Sequence, residues 1–337
     1  MTNIWRRTIL SLAIAGGLFG LRFAPWEKPL AAIRLSRPLM GTMWTLEVCD
    51  EGRPAAARAA IDAAYAELGR IDLLMSEWKP ESPVSRINAA AGRAPVEVPA
   101  ELRELIQRSI RYSEVTGGAF DITWRGMGRI WKFDDSFVAP SRQAVEAARR
   151  NVNYRAIQIE GNRVYLPTAA MNIGLGGIAK GYAVDRAFAV LLHAGFGNVM
   201  VDGGGDVRVS GTRNGVPWRL GIQHPRRERG HILGAVRPRE QAIVTSGDYE
   251  RFRIVDGIRY HHIIDIRTGW PATAASSVSV LAPTAEQGVV LAKGIFILGP
   301  EAGIALAKSE KVEALLIDPA GRQFATEGFL RVLEKGE

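Results

Sequence analysis

Gly174-Leu175-Gly176-Gly177-Ile178-Ala179-Lys180-Gly181-Tyr182 is the stretch on which the reading of the fold turns. Glycines stand where a loop gives way to a helix, and the apolar spacing from Ile178 to Leu192 predicts that helix, ending near Gly195. Backbone N–H groups at a helix start, with Lys180 close by, suit a pyrophosphate. The order Gly-x-x-x-x-Gly-Lys-Ser/Thr of a Walker A loop is not met. Taken alone, a glycine turn ahead of a helix is more often structural.

Outward from that helix, strands and helices alternate. Towards the C-terminus, Val199 to Val209 reads as a strand pair broken by Gly203-Gly204-Gly205, and further strands fit Trp218–Gln223, Ala242–Ser246, His261–Asp265 and Ser277–Leu281. Thr284-Ala285-Glu286-Gln287 is a capping box that opens a helix to about Leu298. Pro300 starts another helix, and Val312–Ile317 closes the pattern with a strand. Towards the N-terminus, a strand is expected from Arg37 to Glu47. A helix begins at Pro54 and carries Ile61, Ala64, Leu68, Ile71 and Met75 on one face. A loop is expected over residues 76–82, a helix over Ala100–Val115, and a short helix opened by Ser141. A hairpin follows, with Glu160-Gly161-Asn162-Arg163 at its turn. The fold class is therefore α/β (α+β), mixed sheets covered by helices in one domain over residues 35–330. The order of the strands does not follow from the sequence.

The chain has 337 residues, 47% of them hydrophobic and 23% charged, with a formal charge of +8. That composition is globular and ample for one large core. The arginines are scattered, and Arg226-Arg227-Glu228-Arg229 reads as a solvated loop. No nucleic-acid-binding signature accompanies the charge. One cysteine, Cys49, excludes an internal disulfide and a thiolate zinc site, and its apolar setting makes it a buried small residue. Residues 1–34 carry Arg6-Arg7 ahead of an apolar run from Ile9 to Leu21, the layout of an export signal or N-terminal anchor, with the twin-arginine route suggested by the pair. The mature chain is expected to be exported, periplasmic or periplasm-facing, with N-terminal membrane contact.

Further motifs carry chemistry only in company. Asp202-Gly203-Gly204-Gly205-Asp206 offers a glycine bend and two carboxylates, for a cation or for capping turns. His261 and His262, adjacent in an expected strand, point to opposite faces, so at most one serves a cleft. His262, next to hydroxyls and carboxylates, is the candidate general base.

In order, Met40-Gly41-Thr42, Met75-Ser76 with Ser82 and Ser85-Arg86-Ile87-Asn88, Gly118-Ala119-Phe120-Asp121, Gly177 to Tyr182, Asp202 to Asp206, Thr245-Ser246-Gly247 and His262 to Pro271 resemble the ApbE family over about residues 36–320. The resemblance implies an FAD:protein FMN transferase. With magnesium, such a protein moves the FMN half of FAD onto a Ser or Thr of an acceptor flavoprotein and releases AMP. It implies that Met40, Trp78, Ala119, Phe120, Asp121, Lys180 and Ile264 line the FAD site, that the Gly177 carbonyl is a metal ligand, and that His262 takes the hydroxyl proton. It also exposes three departures. Gly174 stands where the family carries an Asp that helps hold the nucleotide, and Val289 and Lys293 stand where it carries a metal-binding Asp and Thr. Valine supplies no oxygen and an ammonium repels magnesium. Two readings follow: Lys293 stands in for the metal, or the chain binds FAD as a carrier or maturation factor without transferring it. Hydrolysis of FAD to FMN and AMP is a third reaction class with the same requirement for an electrophile.

Overall fold

The structure, a computed structural model, describes residues 32–50 and 52–336. Almost all of the expected export segment lies outside them. Among the described residues no helix is long and apolar enough to cross a membrane.

Eight strands make the central sheet: β1 (Ala32–Leu39), β2 (Thr42–Cys49), β3 (Val199–Gly203), β4 (Val207–Ser210), β5 (Ala242–Gly247), β6 (Ser277–Ala282), β7 (Glu313–Ile317) and β8 (Gln323–Ala325). They lie side by side in chain order, and every neighbouring pair is antiparallel. The helices are α1 (Pro54–Met75), α2 (Pro83–Ala90), α3 (Ala100–Val115), α4 (Arg142–Arg149), α5 (Ala179–His193), α6 (Ala285–Leu298), α7 (Pro300–Ser309) and α8 (Glu327–Val332).

Alternation along β2 sets the layers. Trp44, Leu46 and Val48 face a core shared with α1, α5 and α6, while Cys49 faces the opposite core. The apolar face of α1 buries Ile61, Ala64, Leu68, Ile71 and Met75 as its spacing demands. The opposite core joins Met200, Val209, Ile243, Leu281 and Leu315 to Trp218, Ile222 and Phe329. Those partners come from α8 and from the segment that includes a small antiparallel sheet of Leu220–Gln223, Ile232–Val236 and Glu334–Lys335. The sheet is therefore covered on both faces, and Cys49 is the buried small residue expected, its thiol pushed up to about 11 chiefly by burial.

Several expectations need correction. The strand expected from Arg37 to Glu47 is a hairpin. The chain reverses at Met40 and Gly41, both at positive φ (49° and 73°), and Leu39 pairs with Thr42. A two-residue turn of that hand matches the twist of an antiparallel pair, but methionine is a rare occupant of it. The sheet also begins at Ala32, which pairs with Cys49 inside the segment expected to be linker. Helix α2 was not expected, although Ser82 caps it by accepting from the Ser85 amide at 2.9 Å and Pro83 opens it. The strand expected over His261–Asp265 ends at His261, and His262 sits in a bend before the short strand Ile264–Asp265. The chain continues past Ile317 into β8 and α8.

Helices α5 and α6 cross closely because position 181 is glycine: a Cβ there would overlap the Ala285 carbonyl and stand 2.6 Å from Val289 Cγ2. Asp185 of α5 ties the start of α6, its two oxygens accepting from the Ala285 and Glu286 amides at 2.9 Å each. This is an N-terminal cap supplied by another helix. Arg208 of β4 pairs with the same carboxylate at 2.6 Å. Thr284 adds its own cap to the Gln287 amide at 3.2 Å.

Candidate active site

The crossing that brings Val289 against Gly181 brings Lys293, one turn further along α6, to Gly177, one turn earlier in the chain. The Lys293 Cδ is 3.8 Å from where a Gly177 Cβ would stand, and the Phe120 ring covers the same glycine from another side. Val289 and Lys293 thus flank the start of α5. That start has no side-chain cap; the Ile178 and Ala179 amides donate to the Leu175 carbonyl at 2.9 and 2.7 Å, which leaves the next amides, of Lys180 and Gly181, as the donors open to a ligand. Lys180, in the first turn, pairs with Asp206 of the glycine bend at 3.0 Å. Asp202 caps the same bend, its Oδ1 accepting from the Gly205 amide at 2.8 Å.

Lys293 is crowded by protein, yet part of its surface stays open to solvent. Its Nζ donates to the Val289 carbonyl at 3.1 Å, one bond for three protons. Burial lowers its pKa to about 8, with Asp206 pulling it back up and Lys180 pushing it further down. His262 lies close enough to feel the Lys293 charge. Its Nδ1 is buried without a hydrogen-bond partner, and its pKa falls to about 3, first through burial and then through the Lys293 charge. His262 is therefore neutral at physiological pH, and in the free protein its surroundings oppose its protonation. His261, by contrast, is fixed in the core, with Nε2 at 2.8 Å from the Ala272 carbonyl oxygen. The two histidines were expected to part by strand alternation; the bend at His262 separates them instead.

The rim is built from distant segments. The Arg251 carbonyl accepts from the His262 amide at 3.1 Å, and its guanidinium lies 3.7 Å from where a Gly41 Cβ would be. This puts the Met40-Gly41 turn beside the histidine loop. Trp78 is 74% exposed, with the Arg125 guanidinium 4.3 Å from its ring centre. Arg125 also pairs with Glu77 at 2.9 Å, and Glu77 lies against Gly174.

Three of the expected FAD contacts also hold structural positions. Asp121 is buried, its Oδ1 accepting from the Thr123 amide and hydroxyl at 2.7 Å each and its Oδ2 from the Tyr154 amide at 3.0 Å. Ile264 packs with Met127, Trp131 and Val145 in a small separate cluster. Ala119 is a core residue. Arg226, expected in a solvated loop, instead holds buried Asp248 with two bonds at 2.6 and 2.7 Å and donates to Ser276. Sequence reasoning missed Glu77, Arg125, Asp185 and Arg251. Asp185 caps a helix that starts 100 residues further along the chain, a pairing that no local pattern records.

The residues present do not fit magnesium. Val289 is a buried hydrocarbon and Lys293 a cation, and among the described residues no group of three or more His, Cys, Asp or Glu side chains is placed to hold a metal ion.

Comparisons with known proteins agree with this geometry. The model of the ApbE family matches residues 40–316. An FAD:protein FMN transferase of Vibrio cholerae is 31% identical over 323 residues, spanning 94% of this chain and 97% of its own. One of Treponema pallidum is 32% identical over 353 residues, spanning 98% and 96%. The crystal structure of the ApbE protein of Thermotoga maritima superposes with a TM-score of 0.83 at 30% identity, covering 90% of this chain and all of that one. On the match along residues 40–316 and on these relatives, the chain belongs to the ApbE family.

Proposed function

We propose that this chain is an FAD:protein FMN transferase acting on a Ser or Thr of an exported flavoprotein. The observation that carries the reading is the Lys293 side chain, whose Cδ passes beside Gly177 at the start of α5 and whose charge reaches His262 with its unpartnered Nδ1. The amides at the helix start and Lys180 receive the pyrophosphate of FAD. The acceptor hydroxyl oxygen attacks the phosphorus on the FMN side, and its proton passes to His262 Nδ1. The bridging P–O bond then breaks, and AMP leaves with the bridging oxygen. Phosphoryl transfer asks the protein for position and charge rather than covalent chemistry. Lys293 supplies the positive charge where the family's metal would stand. Bound phosphates also raise the basicity of His262 by offsetting the cations that depress it.

A single ammonium is a weaker electrophile than a divalent ion, so turnover is expected to be slow. The apolar Val289 favours a second reading, an FAD-binding carrier or maturation factor that no longer transfers. The intact mass of an apo-flavoprotein domain that the Vibrio cholerae relative modifies separates the two. The full chain is incubated with it and FAD, with magnesium or with EDTA. One added FMN in both conditions supports transfer driven by Lys293. Addition only with magnesium returns the chemistry to a metal and removes Lys293 from it. No addition in either condition, with FAD still bound, leaves the carrier. Export through the twin-arginine route is part of the same proposal. It predicts that Arg6→Lys together with Arg7→Lys leaves the protein in the cytoplasmic fraction.

A further inference from the structure

Glu77 stands in the loop between α1 and α2, one residue before Trp78. Its side chain is only 9% exposed. Oε1 receives the Arg125 guanidinium at 2.9 Å, while Oε2 is buried and has no hydrogen-bond partner. A buried carboxylate oxygen without a donor is costly, and such a group in a native fold calls for an explanation. The position of Oε2 is specific. It occupies the volume that a Cβ on Gly174 would need, so the glycine is what admits the carboxylate. Arg125 meanwhile lies against the ring of Trp78, whose side chain is otherwise largely open. One arginine therefore holds in place an open aromatic face and, from the adjacent residue, an unfilled acceptor.

We propose that Glu77 Oε2 accepts a hydrogen bond from the N–H edge of the nucleotide ring that stacks on Trp78, so that the acid absent at Gly174 is supplied from the α1–α2 loop. The inference rests on the FAD reading above. An open aromatic face suits a flat heterocycle, and a lone carboxylate oxygen suits one N–H donor of it. FAD offers two such rings with the same chemistry, the imide edge of the isoalloxazine and the amine edge of the adenine. Burial pushes the Glu77 carboxyl up and Arg125 draws it only partly back.

The test is FAD affinity of the full chain, read by quenching of flavin fluorescence, with FMN and AMP as separate competing ligands and Tm as the check of folding. Glu77→Gln is expected to weaken FAD about tenfold or more. The same loss should appear for FMN if the flavin ring is the donor, or for AMP if the adenine is. Moving the acid, by Glu77→Ala with Gly174→Asp, is expected to bring FAD affinity back to within about threefold of the unaltered chain. A folded Glu77→Gln variant that binds FAD as the unaltered chain does overturns the proposal. So does a folded acid-moved variant that stays weak. If the unaltered chain binds no FAD, the functional reading falls and takes this inference with it. That outcome differs from a failure of Glu77 alone.

Discussion

Lys293 sets a conflict between stability and chemistry at one residue. Its ammonium is held in crowded surroundings with one hydrogen bond to its own helix. Replacing such a group by an apolar side chain of similar length removes a desolvation cost. Lys293→Met is expected to raise Tm by a few degrees, about 1 kcal/mol, while FMN transfer falls at least a hundredfold. A lower Tm would show that the ammonium stabilises the free protein. The pH dependence has a definite sign. Because the folded pKa lies below the ordinary value of 10.5, the unfolded chain binds the proton more tightly between about pH 8 and 10.5. Lys293 therefore destabilises the fold below that window, and the penalty is relieved as pH rises through it. The unfolding free energy of the native chain relative to Lys293→Met, followed from pH 7 to 10.5, should show this rise. Binding of an anionic pyrophosphate restores the ordinary basicity. Calorimetry near pH 8.5 in two buffers of different ionisation heat should then report proton uptake with FAD. His262, Lys180 and Lys293 were legible in the chain as candidates, each carried by a motif or its register. Glu77 was not, because its role depends on a space left by a glycine far away in sequence, and no local pattern records a missing side chain.

Among the elements, helix α6 carries the site's charge, and its position depends on Asp185. That carboxylate caps α6 from α5 and is itself held by Arg208 on β4. Burial pushes its pKa up while the two amides and Arg208 pull it down. Asp185→Ala should cost about 1–3 kcal/mol of stability. Because α6 sets where Lys293 stands, transfer should fall further than Lys180-dependent FAD binding does, and Asp185→Asn should recover part of both. Equal losses in the two would make Asp185 a cap and nothing more. Helices announced themselves through such ends: Pro54, Ser141, Thr284 and Pro300 each stand at the start they were read to mark. The Met40-Gly41 reversal did not, since the first turn position holds a residue that strands also accept. The bend at His262 was hidden for the same reason, two histidines being as compatible with a strand as with a kink.

Across the whole molecule, the meander of eight strands could not be read from spacing, because pairing order is a property of long-range contacts that local periodicity does not encode. Its edge makes a prediction. Strand β1 pairs with β2 along its full length and accepts the Tyr65 hydroxyl at the Leu35 carbonyl, 2.9 Å away. A chain begun at Ala32 should keep the Tm of the full protein. One begun at Met40 should lose several degrees and aggregate through the uncovered edge of β2, as light scattering would show.

Glu77 and Gly174 occupy one volume between them, and this constrains how a lineage would pass between this arrangement and one with the aspartate that the family resemblance implies at position 174. Aspartate arriving first at 174 meets the glutamate already there, two like charges in one space. A shorter residue arriving first at 77 leaves the pocket without an acid. Neither single step conserves the site, so the two positions are expected to change as a pair. A library that varies them one at a time would score both as intolerant, although the double exchange is tolerated.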